Sequence, residues 1–116
     1  MRRRSRRREV EFEVLRGVLT RHVTLEDGRV YTHRCTREVF EAVAHTIEER
    51  GGEGVTLESL AGAIDAPKTQ VNVALEFLKE RGCVVTPAGG GRRSYPASTF
   101  LYEDAMIEFL YFAEGI

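Results

Sequence analysis

No stretch of this sequence approaches the ~20 consecutive apolar residues that a membrane-spanning helix needs, and no apolar segment follows its basic N-terminus as one would in a secretory signal. Cysteine is scarce: Cys35 and Cys83 lie far apart and form no CxxC pair. That usage fits a reducing compartment and gives no zinc framework. The three histidines, His22, His33 and His45, have no ligand spacing, and a metal site needs imidazoles or thiolates gathered in one place. Paired carboxylates on one face, a phosphate-binding loop and a nucleophile motif are also missing. Gly89 to Gly91 is not followed by the lysine and helix of a phosphate loop. The expectation is a cytoplasmic protein without metal, cofactor or enzymatic activity.

What is there suits one globular domain. The chain has 116 residues, 42% of them hydrophobic and 30% charged, which is the size and composition of a single ordinary core. The net charge of −1 hides an asymmetry. Residues 2–8 (RRRSRRR) hold six of the 17 basic residues, and the other 11 face all 18 acidic ones, leaving the body at −7. A protein that coats nucleic acid has a basic body, so any DNA contact here has to be a local patch. Residues 1–8 are expected to form a disordered basic arm, serving as a minor-groove arm, as a tether that raises affinity without choosing a sequence, or only as a solubilising segment.

From Glu9 the pattern changes. Val10, Phe12 and Val14 alternate with Glu9, Glu11 and Glu13, the period of a half-buried strand. Val10, Val14 and Val18 are also four apart, so a helix over 9–20 is the alternative. Val18 to Leu25 is rich in β-branched residues, and Asp27-Gly28 marks a hairpin turn into Arg29–Thr32. Residues 9–34 therefore read as N-terminal strands in a β-hairpin. Thr36 caps a helix to about Arg50, with Phe40, Val43, Ala44 and Ile47 on one face. Gly51-Gly52 ends it. A short second helix starts at Thr56 and ends near Asp65. A third begins at Ala66-Pro67, turns Val71, Leu75 and Leu78 inward and stops at Gly82. Cys83–Thr86, a glycine-rich tip and Arg92–Tyr95 form a hairpin, and Thr99 opens a last helix.

The stretch LAGAIDAPKTQVNVALEFLKERGCVV, Leu60 to Val85, closely resembles the helix-turn-helix of bacterial MarR-type and ArsR-type regulators. Leu60, Ala61, Ile64, Val71, Leu75, Leu78 and Gly82 stand at the positions of that pattern. Pro67 replaces its usual helix-start serine, and Val73 its frequent arginine. The resemblance, over roughly residues 36–98, implies an α+β winged helix-turn-helix: three helices and a β-hairpin wing, here with an N-terminal hairpin (9–34) and a C-terminal helix (99–116). It also implies transcription regulation through double-stranded DNA. The third helix would enter the major groove and present Lys68, Thr69, Gln70, Asn72 and Val73 to base edges. Arg92 and Arg93, at the wing tip, would reach phosphates or the minor groove.

Winged helices also serve as protein-binding adaptors, and the acidic body suits that alternative. A continuous positive stripe from Lys68 to Arg92 would favour DNA, and an acidic third-helix face the adaptor. Apolar residues wrap most of the circumference of the last helix, more than one core-facing stripe requires. The expectation is a symmetric homodimer joined through Phe100, Met106, Phe109, Leu110, Phe112 and Ala113. The alternative is a helix sunk between the N-terminal hairpin and the three-helix core. Operator and effector ligand are not readable from the sequence.

Overall fold

The computed structural model describes residues 9–89 and 91–114; the basic arm of residues 1–8 lies outside them. The order of elements is β1 (Glu9–Leu15), β2 (Val18–Thr24), β3 (Val30–Cys35), α1 (Arg37–Arg50), α2 (Leu57–Ile64), α3 (Lys68–Glu80), β4 (Val84–Val85), β5 (Tyr95–Pro96) and α4 (Leu101–Glu114). A one-turn 3-10 helix, Gly51–Glu53, follows α1. Among the described residues the fold is α+β, with four α-helices and two antiparallel sheets.

The N-terminal segment is a three-stranded meander in the order β1-β2-β3, larger than the expected hairpin. Its first turn is Arg16-Gly17, both at positive φ (53° and 79°), joining Leu15 directly to Val18. Two left-handed residues are what a tight two-residue hairpin demands. The second turn is the expected one: the Asp27 carboxylate accepts from the Arg29 backbone N–H, and Gly28 takes φ 90°. Cross-strand pairs Val14↔Leu19 and Leu19↔Cys35 place these three on the inner face, where all are buried. Burial pushes the Cys35 thiol up to about 12, so it stays a protonated core side chain that donates to the Thr36 carbonyl rather than a thiolate ligand.

Each helix start follows its local chemistry. The Thr36 side chain accepts from Val39 N–H at the head of α1. Thr56 and Ser59 form a reciprocal capping box at α2, satisfying donors that have no partner inside the helix. Asp65 closes α2 in the left-handed region (φ 61°). Pro67 stands just before α3, where its missing N–H costs nothing. α4 opens at Leu101, two residues after the expected Thr99, and just before it the Ser98 Oγ accepts from Phe100 N–H and donates to Asp104. Glu48 of α1 accepts from Tyr102 N–H in the first turn of α4.

One core joins all the large elements. Phe77 of α3 lies edge-on to Phe12 of β1 (5.3 Å between centroids), Phe40 of α1 (5.8 Å) and Phe112 of α4 (5.2 Å). Phe40 also meets Phe109 at 4.9 Å. Packing against both α1 and β1 accounts for part of the apolar circumference of α4, while Ile107, Leu110 and Tyr111 stay exposed. Of the six residues expected at a dimer interface, Phe109 is therefore corrected to a core residue, 1% exposed. Met106 and Phe112 are half-buried against that core. Phe100, Leu110 and Ala113 remain exposed.

The chain between α1 and α2 also touches the C-terminal hairpin. Val55 and Ser94 exchange both backbone hydrogen bonds at 2.8 Å, so a third short segment lies beside the β4–β5 pair. No helix among the described residues is long and apolar enough to cross a membrane.

Candidate nucleic-acid interface

α3 advances by 100° per residue, and its buried arc is wide. Val71, Ala74, Leu75 and Leu78 face α1 and α2, while Val73 and Phe77 extend the arc toward the N-terminal sheet, all six being buried. Val73, expected to point outward to a base, is fully buried. The reason is the meander: β2 and β3 pack against α3 and cover the side that a bare three-helix core would leave open.

The other expected contacts separate into those turned outward and those committed inside the fold. Lys68 and Thr69 are exposed and Asn72 is half-buried. Gln70 is committed inside the fold, its Oε1 accepting the Thr36 backbone N–H at 3.0 Å and so tying the start of α1 to α3. The two wing arginines also differ. Arg92 is exposed, whereas Arg93 turns back and donates to the carbonyls of Glu53 (3.2 Å) and Gly54 (3.4 Å). Arg93 thereby fixes the hairpin to the α1–α2 connection.

Glu58, in the first turn of α2, had no role in the sequence reading. Its carboxylate lies 3.3 Å from Lys68 Nζ and 3.9 Å from Arg92 Nη1. Its own backbone N–H, then Lys68, hold it below the ordinary carboxylate range. A carboxylate at the second helical position is locally just a favourable dipole partner; its meeting with residues 10 and 34 positions later is a tertiary event. The groove between α2, α3 and the hairpin has a volume of about 260 Å³, with Glu58, Asn72, Glu76, Lys79 and Arg92 on its walls. Glu76 pairs with Lys79 at 3.5 Å. Positive charge thus does not run unbroken from Lys68 to Arg92: Glu58 sits between them, and Glu76 and Glu80 line the C-terminal half of the exposed face.

The histidines serve as structural partners. His22 bonds Glu13 and Thr32 across the outer face of the sheet, His33 meets Arg21, and His45 stacks on Tyr102 at 3.8 Å. Among the described residues no three of His, Cys, Asp and Glu gather as metal ligands. Compared with protein-family models, curated proteins and solved structures, the chain matches none.

Proposed function

We propose that this chain is a winged-helix domain that binds duplex DNA as a non-enzymatic regulator, with the N-terminal half of α3 in the major groove and the 86–94 loop as the wing. The single observation that carries the reading is convergence at one helix face. Lys68, Thr69 and Asn72 stand outward on the first two turns of α3 with Arg92 beside them. Val10, at the start of β1, lines a cavity with Asn72. The order α1, Val55 segment, α2, α3, β4–β5, with Val55 bridged to Ser94, supports the winged-helix assignment. In this reading Asn72 contacts a base edge, and Lys68, Arg92 and the arm contact phosphates.

A second reading, a protein-binding adaptor, draws on the Glu58 bridge and on Glu76 and Glu80. One substitution separates the two. Glu58→Gln releases Lys68 and Arg92, so it is expected to tighten duplex binding by roughly 3–10-fold at low salt and to steepen the salt dependence. Fluorescence anisotropy on DNA selected from random duplexes reads both. Neither wild type nor variant binding any duplex at low salt would exclude DNA and leave the adaptor.

The proposed assembly is a homodimer through the outer side of α4. Phe100, Ile107, Leu110 and Tyr111 fall within one arc of that helix and are exposed, Ile107 by 64%. An apolar stripe of this kind suits a two-fold interface, and a two-fold protein reads two half-sites one helical turn apart. Sedimentation is expected to give twice the 13.1 kDa chain mass, and Leu110→Glu to give the single chain. A monomeric, soluble wild type would remove the dimer.

A further inference from the structure

A second cavity lies on the other side of Asn72, between the inner face of the meander and α3, with a volume of about 480 Å³. Its sheet wall is built by cross-strand pairs: Val10 opposite Val23, and Phe12 opposite Arg21. Directly paired residues share a face, so Arg21 shares this wall with Val10, Phe12, Val23 and Tyr31, the partner of Val23. Its Nη2 meets His33 Nδ1 at 3.2 Å. Among the described residues its buried Nε has no hydrogen-bond partner and Arg21 makes no ion pair with a carboxylate. A buried guanidinium N–H without an acceptor is costly, and a carboxylate is the acceptor that best matches its planar fork.

The helix wall carries the opposite charge. Glu76 and Glu80 line the cavity from α3, each spending itself on a neighbour of its own segment, Lys79 and Arg81, at a loose 3.5 Å. A ligand bearing only a carboxylate would meet Arg21 but face two carboxylates. A ligand bearing only an ammonium would meet the glutamates but face the guanidinium. A small molecule with both groups satisfies both walls, and Val10, Phe12 and Val23 offer surface to an apolar side chain.

We infer that this cavity binds a free α-amino acid with an apolar side chain, its carboxylate on Arg21 and its ammonium on Glu76 and Glu80. Asn72 lines both this cavity and the groove beside Arg92. A ligand here therefore acts on the side chain assigned to base contact, which makes it an effector; that step alone rests on the DNA-binding reading.

The test is an NMR titration of the intact chain without DNA, so its outcome is independent of that reading. The probes are L-leucine, 4-methylpentanoate (leucine without its amine) and 3-methylbutylamine (leucine without its carboxylate). Millimolar L-leucine is expected to shift the amides of Arg21, Val23, Asn72 and Glu76, with each analogue at least about tenfold weaker. Arg21→Gln and, separately, the Glu76→Gln/Glu80→Gln double variant are each expected to weaken L-leucine by about tenfold or more, with unchanged melting of the double variant showing that the fold is intact. No shifts with L-leucine, an analogue binding as tightly as the amino acid, or binding unaffected in the glutamine double variant would each overturn the inference.

Discussion

Phe77→Ala is expected to cost about 3–5 kcal/mol, the range for truncating a fully buried aromatic ring. Phe77 is completely buried, and its ring contacts side chains from three other elements: Phe12 of β1, Phe40 of α1 and Phe112 of α4. Removing it opens a void that no single neighbour can fill, because each is held by a different element. It also deletes three edge-to-face contacts, each of which adds to the area burial. A domain of this size has a stability of about 5–15 kcal/mol, so the loss consumes a large share and lowers Tm by more than about 10 °C. Urea unfolding followed by circular dichroism measures it. Val30→Ala is the reference: Val30 is 59% exposed and its truncation is expected to stay within about 0.5 kcal/mol. A Phe77→Ala loss below about 1 kcal/mol would mean that meander, helices and α4 do not share one core.

Gly54→Ala is expected to be almost as damaging, for a different reason. Gly54 has φ 77° and ψ 173°, a region essentially reserved for glycine. A Cβ at that position would come within 2.7 Å of Tyr95 Cε2 and 2.8 Å of Arg93 Cγ. Backbone strain and overpacking each cost about 1–3 kcal/mol, and here they act together, because the Tyr95 ring and the Arg93 stem are what close the hairpin over Gly54. The expected loss is about 2–4 kcal/mol, with faster amide exchange at Val55 and Ser94, whose mutual hydrogen bonds lie beside the clash. Gly52→Ala is the contrast: nothing lies within 4 Å of its Cβ and its φ is not positive. An alanine there is expected to be neutral or slightly stabilising. Equal behaviour of the two variants would show that the hairpin is not seated on Gly54.

The parts of this protein legible in its residues are those decided within a turn or two of chain. Thr36 and Thr56 cap the helices they precede, Asp27-Gly28 turns the chain between β2 and β3, and Phe40, Val43, Ala44 and Ile47 lie along the buried face of α1. Capping, turn geometry and periodicity act between residues at most four or five apart, so the sequence by itself determines them. The even mixture of apolar residues around α4 was also legible, but not what covers them, since a helix with two apolar sides is compatible with a dimer and with burial between two layers.

Tertiary structure sets how much of α4 the chain itself covers: α4 packs against β1 and α1, which takes Phe109 into the core and leaves Phe100, Ile107, Leu110 and Tyr111 exposed. It also decided the candidate site. Val73 turns inward only because β2 and β3 lie along α3, and Gln70 is committed only because the start of α1 arrives 3.0 Å away. Glu58 meets Lys68 and Arg92, and Arg21 meets the glutamates of α3 across a cavity, through packing between segments 10 to 59 residues apart in the chain. Periodicity reports that a residue has an apolar or polar side, whereas the neighbour that covers it is chosen by burying the whole core at once. That is why the helices and turns could be read from the chain, while the charges that meet at α3 and the identity of its free face belong to the fold.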